Sequence, residues 1–321
     1  MANSRNRLNI DRLLSEVGAR LKHHIAPGQR LVLGLSGGLD SVVLLHLLLR
    51  LRDDIGVSLA AVHVHHDLSA NADVWQVFCE RLCQGWDIPL RVARVQVDRE
   101  SGAGIECAAR KARYEAFATE AADWIVLAQH RDDQAETLLF NLLRGAGVRG
   151  AAAMQMARDN ILRPLLGLGR SEIEAYGRQL GLQWIEDESN SDTHYSRNFI
   201  RHEIMPRLAA RFPAVKANFA AAAGRFAEAQ VLLDELALLD LGQIPARFPL
   251  PLTCLQGLSE ARARNVLRLL LACHGVQVPS EVRLFEATRQ LLTAAPDRHP
   301  KIVFGNHVLR RVGRAVCLEA A

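Results

Sequence analysis

Two clusters of polar residues in this chain have the types and the spacing to do chemistry. The first is Ser36-Gly37-Gly38-Leu39-Asp40-Ser41. An apolar run of strand length, Leu31-Val32-Leu33, leads into it, and an apolar helical pattern from Val42 to Leu48 leaves it. Adjacent glycines permit a tight turn and a close approach of the backbone to a ligand. The helix start aims unpaired N–H groups and the positive dipole end at the same point, so an anion, above all phosphate, is the expected guest. The second cluster is His130-Arg131-Asp132-Asp133-Gln134-Ala135-Glu136-Thr137. Asp132 and Glu136 are four apart, and Asp133 and Glu136 three apart, so the three acids can share one helix face. Helix-dipole compensation accounts for one acid in a first turn. Three of them beside a phosphate site call for a cation or an amine substrate.

The phosphate loop is not the kinase kind. That pattern needs Gly, four residues, then Gly-Lys and Ser or Thr. Counting from Gly34 puts Leu39-Asp40 at those places, and counting from Gly37 puts Val42-Val43 there. The dinucleotide fingerprint fails too, because Gly34 is followed two residues on by Ser36. Asp40 beside phosphate is electrostatically unfavourable unless a divalent cation bridges them. His63-Val64-His65-His66-Asp67 tempts a zinc reading, but no second ligand group matches it, and a nucleotide-contacting or packed histidine fits better. Arg110 and Arg113, three apart on a helical pattern, can reach one anion; without the loop, a solvated basic face paired with Glu106 and Glu115 would serve equally well. Asp187-Glu188-Ser189-Asn190 suits turns, and the following Arg197 and Arg201 have the chemistry to clamp phosphate or an RNA backbone.

Positioning these groups requires a scaffold, and the hydrophobic pattern supplies one. An amphipathic helix over 8–25 ends at Pro27-Gly28. Strands are predicted at Leu31–Leu33, Ser58–Val64, Leu90–Val95 and Trp124–Ala128, with helices after the loop and over about 71–86, 105–121 and Asp132–Arg144. This alternation predicts an α/β doubly wound parallel sheet. Such sheets bind ligands at the carboxyl ends of their strands. The Ser36–Gly38 turn, His63–Asp67 and Gln129–Asp133 all fall there, so three polar clusters converge on one rim. An Ala- and Leu-rich segment near 215–241 reads as a long connecting helix, and Pro245, Pro249 and Pro251 punctuate a new unit. That smaller mixed α/β unit holds helices near 259–274 and 280–293 and a terminal β pair at 301–304 and 307–318. The expected domains are 1–212, a linker over 213–243, and 244–321.

Composition bounds the function. With 321 residues and 49% hydrophobic content, two domains can each bury a core. No apolar run reaches transmembrane length, and the N-terminus lacks a signal-peptide core, so a cytoplasmic protein without a membrane partner is expected. Six scattered cysteines contain no Cys-x-x-Cys pair and read as reduced thiols. The net charge of +4 is a weak argument for nucleic acid. From Gln256 onward, however, ten Lys and Arg stand against five acids. A solvated basic surface explains this by itself.

Taken together, Ser-Gly-Gly-Leu-Asp-Ser, His-Val-His-His, the Ala109–Tyr114 helix and His130–Thr137 resemble the PP-loop, N-type ATP pyrophosphatases. Arg144-Gly145-Ala146-Gly147, Arg163-Pro164-Leu165-Leu166, Asp187–Asn190 and Arg197-Asn198-Phe199-Ile200-Arg201 narrow the resemblance to the tRNA(Ile)-lysidine synthase family, from Leu31 to about Leu208. The resemblance implies an adenine nucleotide alpha hydrolase-like fold and a ligase that uses ATP and Mg²⁺. It implies adenylation of the carbon-2 oxygen of the wobble cytidine in a CAU-anticodon tRNA(Ile). The amine of free L-lysine then displaces AMP to give lysidine. Carried over residue by residue, Ser36, Gly37, Gly38, Leu39, Asp40, Ser41 and His63 would bind ATP, and Asp40 with Asp133 would hold Mg²⁺. Asp40, Asp133, Glu136 and Arg113 would be catalytic, Glu136 as the group that attracts or deprotonates lysine. Arg110, Arg197 and Arg201 would engage phosphate or tRNA. The resemblance also makes the basic tail a tRNA surface. The oligomeric state is left open, a homodimer included.

The sequence departs from the family pattern at Asp67, where Gly is usual, at Gln129, where His is common, and at Gly150-Ala151, where Gly-Leu is usual. Longer members of the family carry a further domain beyond this point. Two alternatives compete: a PP-loop tRNA cytidine thiolase, which calls for thiols on the rim, and a non-catalytic nucleotide- or RNA-binding module, which gains nothing from Asp40, Asp133 and Glu136.

Overall fold

The computed structural model describes residues 2–98, 104–188, 192–276, 280–295 and 298–321, with side chains from Ile10 onward. Ser189 and Asn190 of the Asp187–Asn190 motif lie outside the described residues. The chain forms two compact units, one of residues 1–146 and 152–224, the other of 147–151 and 225–321.

In the first unit, strands and helices alternate in the order α1 (Ala2–His24), β1 (Arg30–Gly34), α2 (Leu39–Ile55), β2 (Ser58–His65), α3 (Ala72–Gly85), β3 (Leu90–Arg94), α4 (Ile105–Ala118), β4 (Trp124–Val126) and α5 (Arg131–Leu143). The short helix α6 (Val148–Ala151) precedes a hairpin of β5 (Ala157–Arg158) and β6 (Ile161–Leu162), then α7 (Arg170–Gln179). Next come α8 (Ser196–Phe199), a π-helical turn at Ile200–Ile204, α9 (Met205–Arg211) and α10 (Val215–Leu241), which runs on into the second unit. The sheet order is β3-β2-β1-β4-β6-β5, parallel throughout except for β5 against β6. The chain winds outward from β1 to β3, then returns to place β4 on the other side of β1. The crevice at the carboxyl ends of β1 and β4 is therefore the switch point where such sheets bind ligands.

The alternation of β1 shows how the core is shared. Leu31 and Leu33 pack with Leu13, Val17 and Leu21 of α1, Val43 and Leu47 of α2, and Ile173 and Tyr176 of α7. Val32 faces the other side, with Val62, Phe117 and Ile125. Both faces are covered, as a parallel sheet requires.

Several element limits differ from the sequence expectation. The helix after Ile105 stops at Ala118, short of 121, because the Thr119 hydroxyl donates to the Ala116 carbonyl and closes the last turn. The antiparallel hairpin β5–β6 was not anticipated: two-residue strands carry no periodicity, and the bend rests on Asp159 at φ 54°. In the second unit, the expected strand 307–318 is two strands, β9 (His307–Val312) and β10 (Ala315–Ala320), turned at Gly313 with φ 57°. With β7 (Leu250–Pro251) and β8 (Lys301–Phe304) they make an antiparallel sheet of order β7-β10-β9-β8. This sheet packs on α12 (Glu260–Cys273) and α13 (Glu281–Thr293) through Leu309, Val316, Leu267, Leu270 and Leu284, and the short α11 (Thr253–Gln256) adds Leu255 to the same core. Among the described residues no helix is long and apolar enough to cross a membrane.

Candidate active site

A cavity of about 640 Å³ opens at the carboxyl ends of β1, β2 and β4. Ser36, Gly38, Leu39, Asp40, Ser41, His63, Arg110, Arg113, Asp133 and Arg201 all line it, so most of the residues expected from sequence meet in one place. Glu136 and Arg197 are not on its wall, and Gly37 lies just behind it.

The loop is built by its small residues. Gly37 has φ 86°, and a Cβ there would come within 2.5 Å of Ile185 Cδ1, so no other residue fits. The Gly37 carbonyl accepts from the Ile185 N–H at 3.0 Å, which lays the segment Trp184–Asp187 along the cavity. The Ser41 hydroxyl donates to the Gly38 carbonyl at 2.9 Å and lies 3.1 Å from the Ser36 hydroxyl. The first intrahelical bond of α2 runs from Val42 N–H to the Gly38 carbonyl, and the helix has no side-chain cap. The N–H groups of Leu39, Asp40 and Ser41 thus precede the helical ladder, beside the cavity. The floor is rigid: a Cβ on Gly34 would sit 2.9 Å from both Leu127 and Phe117.

Helix α5 brings the second cluster. Its N-cap is His130, whose Nδ1 accepts from the N–H groups of Asp132 at 3.2 Å and Asp133 at 3.4 Å. Asp133 reciprocates, accepting the His130 N–H at 3.0 Å, and completes a capping box. With Nδ1 engaged as an acceptor, the neutral ring carries its proton on Nε2, which lies 3.7 Å from Asp40 and 3.4 Å from Asp133. Burial holds the imidazole pKa down, but Asp40, Asp133 and Asp132 outweigh it and raise the net value. Protonating Nδ1 would set N–H against N–H and break the cap, so the cap geometry favours the neutral ring.

The acids divide their work. Asp132 is buried and holds Lys216 of α10 and the Arg170 N–H at 3.4 Å. Burial pushes its carboxyl up, but Lys216 leads the groups that bring it below the ordinary range. It is therefore a structural anchor, away from the cavity wall. Asp133 accepts from Arg201 at 2.8 Å. Glu136, 6% exposed, receives three bonds from Arg201 at 2.8–3.1 Å. Burial raises the Glu136 carboxyl against the pull of Arg201, while these acids hold the guanidinium charged. The bidentate geometry is that of an ion pair. The expected role of Glu136 as the base toward lysine is not what this geometry provides: both oxygens are occupied and the side chain stands behind Arg201.

The basic groups Arg110 and Arg113 line the same cavity. Arg113 donates to His66 Nε2 at 3.4 Å, and Arg110 donates to the Tyr114 hydroxyl at 3.2 Å and stacks over its ring. Burial, then the neighbouring Arg110, lowers the Arg113 pKa, so an anion arriving here relieves both penalties. The same burial, then Arg113, takes His66 down to about 4. His63 donates from Nδ1 to the Leu35 carbonyl at 2.9 Å, and burial lowers its pKa as well. Arg197 faces Glu106 at 3.6 Å and the Phe140 ring. Zinc finds no home: among the described residues no group of three or more His, Cys, Asp or Glu is placed to hold a metal. A cation shared with a ligand is another matter, because Asp40 Oδ1 is buried without a partner beside Asp133. Two carboxylates and one orphaned oxygen suit a hard cation that takes its other oxygens from phosphate.

Sequence reading missed Trp75, Arg170 and Trp184, all on the cavity wall, whereas Gln129, expected on the rim, lines it too. Gln129 accepts from buried Arg163 at 2.8 Å, a contact 34 residues away that no local pattern signals. Arg170 opens α7 directly after Gly169, and that helix start was the available signal. Asp67 adopts φ 54°, which explains why Gly suits this place elsewhere and why Asp is tolerated.

A family profile described as the PP-loop domain matches residues 8–208, and one described as the TilS substrate binding domain matches residues 250–316. The chain is 48% identical over 276 residues to the tRNA(Ile)-lysidine synthase of Aromatoleum aromaticum, covering 85% of this chain and 65% of that one. It is 43% identical over 317 residues to that of Serratia proteamaculans, covering 95% of this chain and 71% of that one. The chain spans 61–65% of the length of the first three curated relatives it matches. Among solved structures, the U34-tRNA thiolase NcsA from Methanococcus maripaludis, with its 4Fe-4S cluster, shares the fold at a TM-score of 0.58 and 16% identity. That match covers 70% of this chain and 80% of the other.

Proposed function

We propose, from the premise that this chain belongs to the tRNA(Ile)-lysidine synthase family, that it joins free L-lysine to carbon 2 of the wobble cytidine of CAU-anticodon tRNA(Ile). ATP activates the cytidine oxygen as an adenylate, and AMP and pyrophosphate are released. The observation that carries this reading is one cavity holding the Ser36–Ser41 loop, the carboxylates Asp40 and Asp133, and the guanidinium of Arg201.

The N–H groups of Leu39, Asp40 and Ser41, with the hydroxyls of Ser36 and Ser41, would cradle the triphosphate. Asp40 and Asp133 would hold Mg²⁺, which when bound neutralises phosphate charge. Arg110 and Arg113 would take up negative charge that develops on the departing groups. In the second step the lysine amine must be neutral to attack. The carboxylates on the cavity wall available to draw that amine are Asp40, Asp133, Glu186 and Asp187, and Glu136 would act by fixing Arg201. His63, on the cavity wall, would contact the nucleotide, and Arg197 and the basic tail would face tRNA in this reading. The setting is cytoplasmic.

A thiolase reading fares worse: among the described residues no cysteine lines the cavity, and Cys79 and Cys83 are buried in the core, where burial pushes their thiols up to about 12 and about 11. The test combines protein, ATP, a tRNA(Ile) transcript with a CAU anticodon and labelled lysine. Lysine-dependent AMP release with label in the tRNA supports the proposal. Sulfur entering the tRNA in a parallel reaction given labelled sulfide in place of lysine, or ATP binding without turnover, overturns it. Glu136→Gln separates the two carboxylate roles: a fall in kcat with an unchanged lysine KM fits a support for Arg201, whereas a raised lysine KM restores Glu136 as the amine's partner.

A further inference from the structure

Between α8 and α9 the helix widens for one turn. The Met205 N–H donates to the Ile200 carbonyl, an i→i+5 bond, and Ile200–Ile204 form a π-helical turn. Such turns are rare and recur at functional sites. This one has a visible cause. An α-helical residue at 206 would donate its N–H to the carbonyl of His202, and position 206 is proline. Proline has no N–H, and its ring collides with the carbonyl four residues back.

The core accepts the wider turn. Ile200 and Met205 are 3% and 1% exposed and pack in one cluster with Ala135 and Val215. Residues five apart on an α-helix point roughly 140° apart and cannot share one core. An i→i+5 turn stacks them. The next two residues, Arg201 and His202, then both line the cavity, with Arg201 delivered to Glu136 and Asp133.

We propose that Pro206 is a positioning residue of the active site: it enforces the wide turn, and the wide turn sets Arg201 against Asp133 and Glu136. Pro206 is exposed and touches none of these groups itself, so it acts through the backbone. The consequence for lysine transfer rests on the function proposed above; the consequence for Arg201 does not.

The test uses the full chain with Pro206→Ala and Pro206→Ser, both of which restore the N–H and allow an ordinary α-turn. Because the ring is exposed and Ala is a better helix former, the melting temperature should move by no more than about 2 °C. The side-chain Nε–H resonance of Arg201, assigned by its loss in Arg201→Lys, should be protected from solvent exchange in the parent and lose that protection in both variants. Lysine incorporation should fall at least about tenfold in kcat with the ATP KM within about twofold. In an Arg201→Lys background, Pro206→Ala should add less than about a twofold further loss. An unchanged Nε–H signal overturns the positioning role whatever the activity. Loss of the signal with unchanged kcat, or equal kcat losses in both backgrounds, overturns its catalytic consequence. A parent protein that incorporates no lysine refutes the functional reading, and the resonance still decides the role of Pro206.

Discussion

Replacing Gly37 with alanine tests the loop at its tightest point. The residue has φ 86°, a region that costs an L-residue about 1–2 kcal/mol. The new Cβ would meet Ile185 Cδ1 at 2.5 Å, Ile185 Cγ1 at 2.9 Å and Cys79 Sγ at 3.1 Å. Forcing a methyl into a packed site adds about 1–3 kcal/mol. Together the substitution should cost about 2–5 kcal/mol, or about 10 °C in melting temperature at the middle of that range for a domain of this size. Urea unfolding of the parent, Gly37→Ala, Ile185→Ala and the double variant divides the total. Ile185→Ala removes the two closest atoms, so in that background Gly37→Ala should cost only the backbone strain and the remaining sulfur contact. The coupling should be about 1–3 kcal/mol. Additivity within about 0.5 kcal/mol would refute the steric argument. ATP affinity should fall in Gly37→Ala, because Ile185 is hydrogen-bonded to the Gly37 carbonyl and its displacement moves the cavity wall.

Other outcomes follow from buried groups. Arg201→Met should destabilise by about 3–5 kcal/mol, because it strands the Glu136 carboxylate without its partner; a double variant with Glu136→Leu should recover most of that loss in a denaturation experiment. His66 is held neutral, its pKa depressed to about 4 from 6.5, so the unfolded chain binds the extra proton as pH falls from about 6.5 to about 4. Stability is lost over that window, by about 1.7 kcal/mol after halving for solvent screening, and His66→Gln should flatten the pH profile by that amount. Native alkylation followed by mass spectrometry should label exposed Cys107 and Cys273 rapidly and spare Cys79 and Cys83, whose thiols are buried and hard to ionise.

What could be read from sequence was local. The Ser36–Ser41 loop, the acids of α5 and the Arg110–Arg113 face are each defined within a few residues, and periodicity carried the elements that hold them. Contacts made across long separations could not be read. Glu136 and Arg201 are 65 residues apart, so the acid looked available for catalysis until its partner was located. Asp132 likewise read as one of three site acids, although Lys216, 84 residues on, draws it into a structural role. The β5–β6 hairpin is too short for any pattern. The break at Gly313 was a missed turn signal, because Val-Gly-Arg between two apolar runs already marks a hairpin. The five-residue spacing of Ile200 and Met205 fits neither the helical nor the strand period, and Pro206 was the clue to it.

The margins of the first unit's sheet bear on how copies of this protein can meet. On one side β3 ends the sheet with exposed Arg91 and Arg94, each tied to an acid, Glu120 and Asp73. On the other side β5 is two residues long and turns back at once beside Arg158 and Asp159. Charged and abbreviated margins refuse a foreign strand. This sheet is therefore closed to extension, and association between copies through this unit falls to helices and loops, leaving the crevice at the centre of the sheet unobstructed by strand exchange.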